Sequence, residues 1–356
     1  LSKTINVALV GTGFGQRVML PAFAACEGAH LAAVCSATRK NAERAAEAFH
    51  IPGVYTDYET MLEAEALDLV LITTPPYLHL PMVQAACGRG LNVLCEKPTA
   101  MDLAQARTML GASERAGTLG LIDHELRFVP TLLKLKAMVD EGYLGPPESV
   151  SFSIQWCYPL VLERPWNWWF DRERGGGLLG ALGSHQIDLL RWLFDTEFKR
   201  VNGTLRSFVK ERPDAQTGEP KPVTSDNFCA WSAELVNGAV GTVCLDASAR
   251  VLDDGDRWTL GFHGKEGSLL YDGKGRLWAI DEKGKVEHTQ ADPGTPGMPE
   301  GVFSQGFAQF SKRIISALQA GGPVAGAATF HDGLKVQAVL DAVRASHERG
   351  TWEAPQ

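Results

Sequence analysis

The stretch Ile5-Asn6-Val7-Ala8-Leu9-Val10-Gly11-Thr12-Gly13-Phe14-Gly15 decides the fold. Its first six residues read as a buried strand, and the glycines after them as a tight turn that opens a helix. Glycine at 11 permits the turn, and glycine at 13 lets a pyrophosphate approach the backbone. The start of the helix then offers unpaired N–H groups and a partial positive charge to phosphates. A third glycine would ordinarily fall at position 16, which is Gln16, while Gly15 comes one residue early. A glycine turn alone is a weak signal, and the strand before it and helix after it give it weight.

The same alternation continues outward. Strands at 31–35, 69–73, 92–95 and 119–122 are interleaved with helical patterns near 15–26, 38–49, 78–88 and 102–115. This predicts βαβ units and a doubly wound parallel sheet, a Rossmann domain over residues 1–123, with ligands gathered at the carboxyl ends of the strands. From residue 148 the alternation has period two, with Val150, Phe152, Ile154 and Trp156 set against Ser151, Ser153 and Gln155. Asn237-Gly238 between two apolar runs predicts a hairpin, and Asp272-Gly273 a further turn. Residues 124–329 are therefore expected to form a second domain, an antiparallel, meander-like sheet carrying a few helices. The segments 211–224 and 290–300, rich in proline, read as surface loops. A final helix at about 330–350 is a candidate for packing back on the first domain.

Bulk properties narrow the function. A chain of 356 residues with 45% hydrophobic residues suits two domains of moderate size. The net charge of −8, without a basic stripe, argues against nucleic acid and anionic membranes as partners. The seven cysteines are scattered and never spaced as CxxC, which fits reduced thiols better than a disulfide framework or a zinc knuckle. No apolar run approaches the ~20 residues of a membrane span, and no signal-peptide pattern precedes the first strand. The expected location is the cytoplasm. His124-Glu125 lacks the second histidine of a zinc motif and no serine sits in a GxSxG elbow, so neither a metal nor a serine nucleophile is expected.

The end of the second strand bears on the cofactor. An NAD site usually places an acid there to bind the ribose 2′-hydroxyl. Here the chain runs Cys35-Ser36-Ala37-Thr38-Arg39-Lys40. A small hydroxyl residue followed by cations suits a 2′-phosphate, because Arg binds it in a bidentate way. Ser36, Thr38 and Arg39 thus point to NADP, with NAD as the alternative and a plain solvated helix start as the structural reading of Arg39. In Thr73-Thr74-Pro75-Pro76-Tyr77-Leu78-His79 the prolines stiffen the turn beside the nicotinamide ribose. There Thr74, Pro75 and His79 are candidate cofactor contacts, His79 serving equally well to satisfy a helix end.

Cys95-Glu96-Lys97-Pro98 follows the fourth of these strands, and Gly183-Ser184-His185-Gln186-Ile187-Asp188 comes some ninety residues later. Hydride transfer at a C–OH carbon needs a group to take or give the hydroxyl proton. Lys97 at the mouth of a dinucleotide site suits that task, with Glu96 beside it. His185 lies in a stretch, 178–194, of helical spacing, and histidine is the residue type best suited to shuttle protons near neutrality. Asp188, three residues on, shares its face.

The glycine turn, TTPPYLH, CEKP and a later histidine helix, in this order and spacing, resemble the Gfo/Idh/MocA oxidoreductases. The resemblance extends through Arg127-Phe128-Val129-Pro130, Gly142-Tyr143-Leu144-Gly145 and Ala325-Gly326-Ala327-Ala328-Thr329-Phe330, and so covers nearly the whole chain. It implies a Rossmann domain, a C-terminal α/β domain with a largely antiparallel open sheet serving substrate binding and oligomerisation, substrates of sugar, polyol or cyclitol type, and homodimers or homotetramers built on that sheet. It also implies Lys97 and His185 as catalytic residues. The family commonly has Asp one helical turn before the histidine, and this chain has Ala181. That departure leaves open whether Asp188 compensates, or whether the protein is a nucleotide-binding sensor that kept the fold and lost full catalysis. Arg127, Trp156, Trp166 and Asp188, with Lys97, are the candidate substrate contacts, since aromatic faces stack on sugar rings. Packing in a core or an oligomer interface is the plainer role for most of these tryptophans.

Overall fold

A computed structural model describes residues 3–155, 164–248, 257–291, 294–295 and 297–356. The chain forms two compact units, Leu1–Val129 with Asp292–Leu334, and Pro130–Ala291 with Lys335–Gln356. The division is not a single boundary near residue 123, because 292–334 returns to the first unit.

In the first unit β1 (Ile5–Val10), β2 (Ala29–Cys35), β3 (Gly53–Tyr55), β4 (Leu69–Ile72), β5 (Asn92–Cys95) and β6 (Gly120–Ile122) form a parallel sheet. Its order is β3-β2-β1-β4-β5-β6. This is the Rossmann order, in which the winding reverses between β1 and β4 and leaves a crevice beyond their carboxyl ends. Every residue of β4 is fully buried, as expected for a strand with helices on both faces. β3, with three residues, is too short for alternation to betray it in the sequence.

On one face Val7, Leu9, Leu31 and Leu71 pack with Phe307, Phe310, Ile314 and Ile315 of the helix Val302–Ala320. On the other, Val10, Val70, Ile72 and Val93 pack with Met61, Val83 and Met109. The helix Val302–Ala320 corrects the sequence reading, which assigned no helix there. Phe303, Phe307, Phe310 and Ile314 do recur at helical spacing, but Gly301 at the N-cap supplies no side-chain cap to announce the start. Docking is close: a Cβ at Gly306 would overlap the Glu125 carbonyl, and the Phe128 and Phe310 rings stack with centroids 4.5 Å apart. Beside β6, Ile122 donates its N–H to Ala328 O at 2.9 Å.

The second unit holds β7 (Pro147–Gln155), β8 (Phe198–Arg206), β11 (Phe228–Leu235), β12 (Val240–Asp246), β13 (Arg257–Gly264), β14 (Ser268–Asp272), β15 (Leu277–Asp281) and β16 (Gly284–Glu287). They form one sheet ordered β16-β15-β14-β13-β7-β12-β11-β8, antiparallel except for the pair β7 and β12. Asn237-Gly238 is the turn of the β11–β12 hairpin, with Gly238 at φ +93°. The turn after Asp272 is also present, but Gly275 rather than Gly273 takes the positive φ. Segment 211–224 is not only loop, since β9 (Glu211–Pro213) and β10 (Pro220–Pro222) pair as a short antiparallel ribbon.

One face of the large sheet buries Val150, Phe152, Ile154, Trp231 and Val243. The other carries Ser151, Ser153, Asn202, Thr204, Ser232 and Thr242, which border a concavity of about 440 Å³. The terminal helix runs Phe330–Arg349 and stops at Gly350, φ +70°. Only its first turn lies in the first unit. In the second unit Val343 fills the space left by Gly203, and Ser346 Oγ accepts from Gly203 N at 3.0 Å.

Candidate active site

The glycine turn is built by contact with β4. Gly11 has φ +95°, and a Cβ there would sit 2.6 Å from Thr73 O. Thr73 Oγ1 donates toward Gly11 O at 2.7 Å, with Val10 O at 3.0 Å, lacing the end of β4 to the turn. Gly15 performs the close helix–strand packing of a third glycine despite its early position, because a Cβ there would meet Thr73 Oγ1 at 2.6 Å and Leu9 Cδ1 at 2.7 Å. The helix begins with a π-turn, Gly15–Met19, whose extra residue per turn accommodates that early glycine. Phe14 packs on the core. Gly13 is exposed and has nothing within 4 Å of where a Cβ would stand. That open space beside the backbone is what a pyrophosphate requires, so the turn fits a dinucleotide.

At the end of β2, Ser36 Oγ lies 3.0 Å from Thr12 Oγ1, joining the glycine turn to the next loop. Thr38 caps the helix Arg39–Phe49 through Asn41 N. Arg39 is exposed and bonds Glu43 at 2.8 Å.

For His79 the sequence offers two roles, a cofactor contact and a partner for a helix end. It is fully buried at the start of helix His79–Gly88, with Nε2 2.9 Å from Thr74 O and Nδ1 3.2 Å from Thr99 O. Burial pulls its pKa below the usual imidazole value, while the Thr74 and Thr99 carbonyls that it faces push the other way. The imidazole therefore ties the Thr74-Pro75 loop to the loop after Lys97.

Lys97 and Pro98 are joined by a cis peptide bond. Lys97 Nζ stands 3.7 Å from Glu96 Oε2, with the lysine side chain 19% exposed and Glu96 buried. Asp123, one residue past β6, is completely buried. Burial, then the nearby Glu125 and Glu96 charges, hold its pKa well above the usual carboxylate range. Glu96 is raised too, by burial, against the pull of Lys97. Arg127 is buried and bonds Asp332 Oδ1 at 3.2 Å. Asp332 Oδ2 accepts from Thr329 N at 2.9 Å, so Arg127 anchors the start of the terminal helix.

In the second unit His185 and Asp188 are both about 1% exposed on the helix Ser184–Phe194. The helix is entered through a π-turn, Leu179–Gly183, that contains Ala181. Asp226, partly buried, accepts from Leu179 N at 2.8 Å and fixes that entry. Burial raises the Asp226 pKa. Gly177 is required there because a Cβ would overlap Asp226 Oδ1. Trp166 donates Nε1–H to Pro222 O at 2.9 Å, and Lys221 and Arg174 lie 4.9 and 5.6 Å from its ring. These contacts fasten it to the β9–β10 ribbon. Trp156 lies outside the described residues.

A family model described as "Oxidoreductase family, NAD-binding Rossmann fold" matches residues 5–124, and the GFO/IDH/MocA C-terminal domain matches 132–270. The chain belongs to the Gfo/Idh/MocA oxidoreductase family. Glucose-fructose oxidoreductase domain-containing protein 2 of Xenopus laevis is 30% identical, over 98% of this chain and 93% of its own. An oxidoreductase domain protein from Kribbella flavida has the same fold with a TM-score of 0.89 at 26% identity, covering 99% of this chain and 100% of the other. The apo form of levoglucosan dehydrogenase gives 0.89 at 25%, with 99% of both chains covered.

As a Gfo/Idh/MocA member, the chain has two fully buried acids that its sequence did not single out among the described residues, Asp123 and Glu125, and a partly buried one, Asp226. Asp123 had one available signal. It follows an apolar strand at the same place that Glu96 follows its neighbour, and parallel register sets them side by side.

Proposed function

We propose that this Gfo/Idh/MocA protein is a dehydrogenase or reductase that moves hydride between NADP(H) and a C–OH or C=O carbon of a sugar, polyol or cyclitol. The observation that carries the reading is Lys97, its ammonium beside buried Glu96 at the carboxyl end of β5 in a sheet whose glycine turn fits a dinucleotide. The bound nicotinamide supplies or accepts the hydride. Lys97 takes the hydroxyl proton in oxidation and returns it in reduction. His185 is the second proton-handling group of this proposal, with Asp188 on its face. The levoglucosan dehydrogenase likeness supports a sugar-like substrate, and the hydroxyl-lined sheet face supports a homodimer or homotetramer. Absorbance of the reduced nicotinamide, followed across a panel of sugars and polyols with both cofactors, tests the activity. Tight cofactor binding with silence toward the whole panel favours the sensor reading, which Ala181 motivates.

NADP is the preferred cofactor because β2 is followed by Ser36, Ala37 and Thr38, with no carboxylate to repel a 2′-phosphate. The Arg39–Glu43 pair is exposed on both sides. Such a pair contributes only about 0.3–0.5 kcal/mol, so a phosphate readily exchanges for the carboxylate. Ser36→Asp is expected to reverse the ratio of NADPH to NADH affinity, read by quenching of protein fluorescence. A native protein that binds NADH the more tightly sinks the assignment.

A further inference from the structure

Glu96 and Asp123 occupy equivalent places on neighbouring parallel strands. Cys95 pairs with Ile122, the next residue on each strand is the acid, and Asp123 N donates to Cys95 O at 2.8 Å. Both side chains are at least nine-tenths buried. Their carboxyl groups meet at hydrogen-bonding range. Yet neither oxygen of Asp123, nor Glu96 Oε1, receives an N–H or O–H from any other group among the described residues. Two ionised carboxylates facing each other present acceptors only, and a contact of that kind in a dry interior requires a proton between them.

We propose that Asp123 is held as a carboxylic acid at neutral pH and donates its proton to Glu96, so that the pair beneath Lys97 carries one negative charge. The surrounding groups fit a single charge. On the β5 side Lys97 supplies one cation, 3.7 Å from Glu96 Oε2, and Cys95 is a buried thiol whose own pKa burial raises. On the β6 side Glu125 adds a further acid near Asp123, while Arg127 is engaged with Asp332. From the helix it opens, buried His79 turns its two ring nitrogens to the Thr99 and Thr74 carbonyls. The helix Val302–Ala320 meets the Glu125 carbonyl through Gly306, and its Arg313 guanidinium lies 5.3 Å from the Phe128 ring.

Asp123 is thus a positioning residue. The shared proton orients Glu96, and Glu96, carrying one whole charge, holds Lys97. This rests on the hydride-transfer reading only for its consequence at Lys97. The shared proton itself is independent of any turnover.

The test compares full-length native protein with Asp123→Asn, whose amide donates in place of the O–H and so preserves the packing. The infrared difference spectrum at neutral pH should show a protonated carboxyl C=O band in the native protein that Asp123→Asn loses and that Glu96→Gln shifts, because the O–H then donates to an amide oxygen. In urea titrations the sign follows from proton uptake. The native folded state binds a proton that the unfolded chain has released, so native stability relative to Asp123→Asn should fall as pH rises above the ordinary carboxylate range. The folding constant ratio should drop about tenfold per pH unit while that extra proton is held. Absence of the band, or a stability difference that does not vary with pH, overturns the proposal. Lack of activity toward every sugar affects neither measurement.

Discussion

Lys97→Met is expected to keep the fold and the affinity for reduced cofactor, and to lose turnover by about 10²–10⁴-fold, the usual contribution of a positioned acid or base. Methionine preserves most of the stem that Lys97 buries and deletes only the ammonium. Removing that cation leaves Glu96 without its counter-ion, and the buried acid answers by taking up a proton rather than by unfolding. The loss should therefore fall on kcat/KM of the true substrate and not on nicotinamide binding. Lys97→Arg separates two roles. Arginine keeps the charge but does not give up a proton at any working pH. If Lys97 moves the proton, Arg is as inactive as Met. Full activity in Arg would reduce the lysine to an electrostatic anchor, and full activity in Met would remove it from the chemistry.

The second large effect is expected far from any reacting atom. Gly306→Val should destabilise the first unit by about 2–3 kcal/mol, the cost of forcing added volume into a packed contact. A Cβ there overlaps the carbonyl oxygen and carbon of Glu125, and Val129 stands just beyond at 3.2 Å. Those atoms are backbone, so relief requires the whole helix Val302–Ala320 to lift from Phe128 and Phe307 from its neighbours. The urea midpoint reports the loss, and Gly322→Ala, with nothing within 4 Å of its Cβ, is the matched control. Equal midpoints for the two variants would mean that this docking contributes little.

The parallel sheet was legible because its strands are continuous apolar runs separated by turns, and the hairpin because Asn237-Gly238 supplies the positive φ such a turn needs. Helix Val302–Ala320 was not drawn, although its phenylalanines carry the period, because an uncapped start behind prolines gives no boundary. The return of 292–334 to the first unit lay beyond reach for another reason: nothing local records which of two apolar faces a helix will cover. At the site, Lys97 and the glycines stood out through the chemistry of their types. Asp123 and Asp226 did not, because an acid is exceptional only once it is known to be buried. Arg127 and Trp166 drew attention as ligands by type, and their observed partners are Asp332 and the β9–β10 ribbon.

The phenylalanines and isoleucines that complete one side of the nucleotide-binding sheet are synthesised long after the strands they cover. During translation, Val7, Leu9, Leu31 and Leu71 leave the ribosome long before Phe307, Phe310 and Ile314 exist to cover them. Until they arrive that flank is covered only in part, by Met19, Leu20 and Phe23, and what stays exposed is the kind of surface that recruits holding chaperones and promotes aggregation. An N-terminal fragment that ends at residue 129 keeps every strand and the glycine turn of this sheet, yet leaves part of that flank in water.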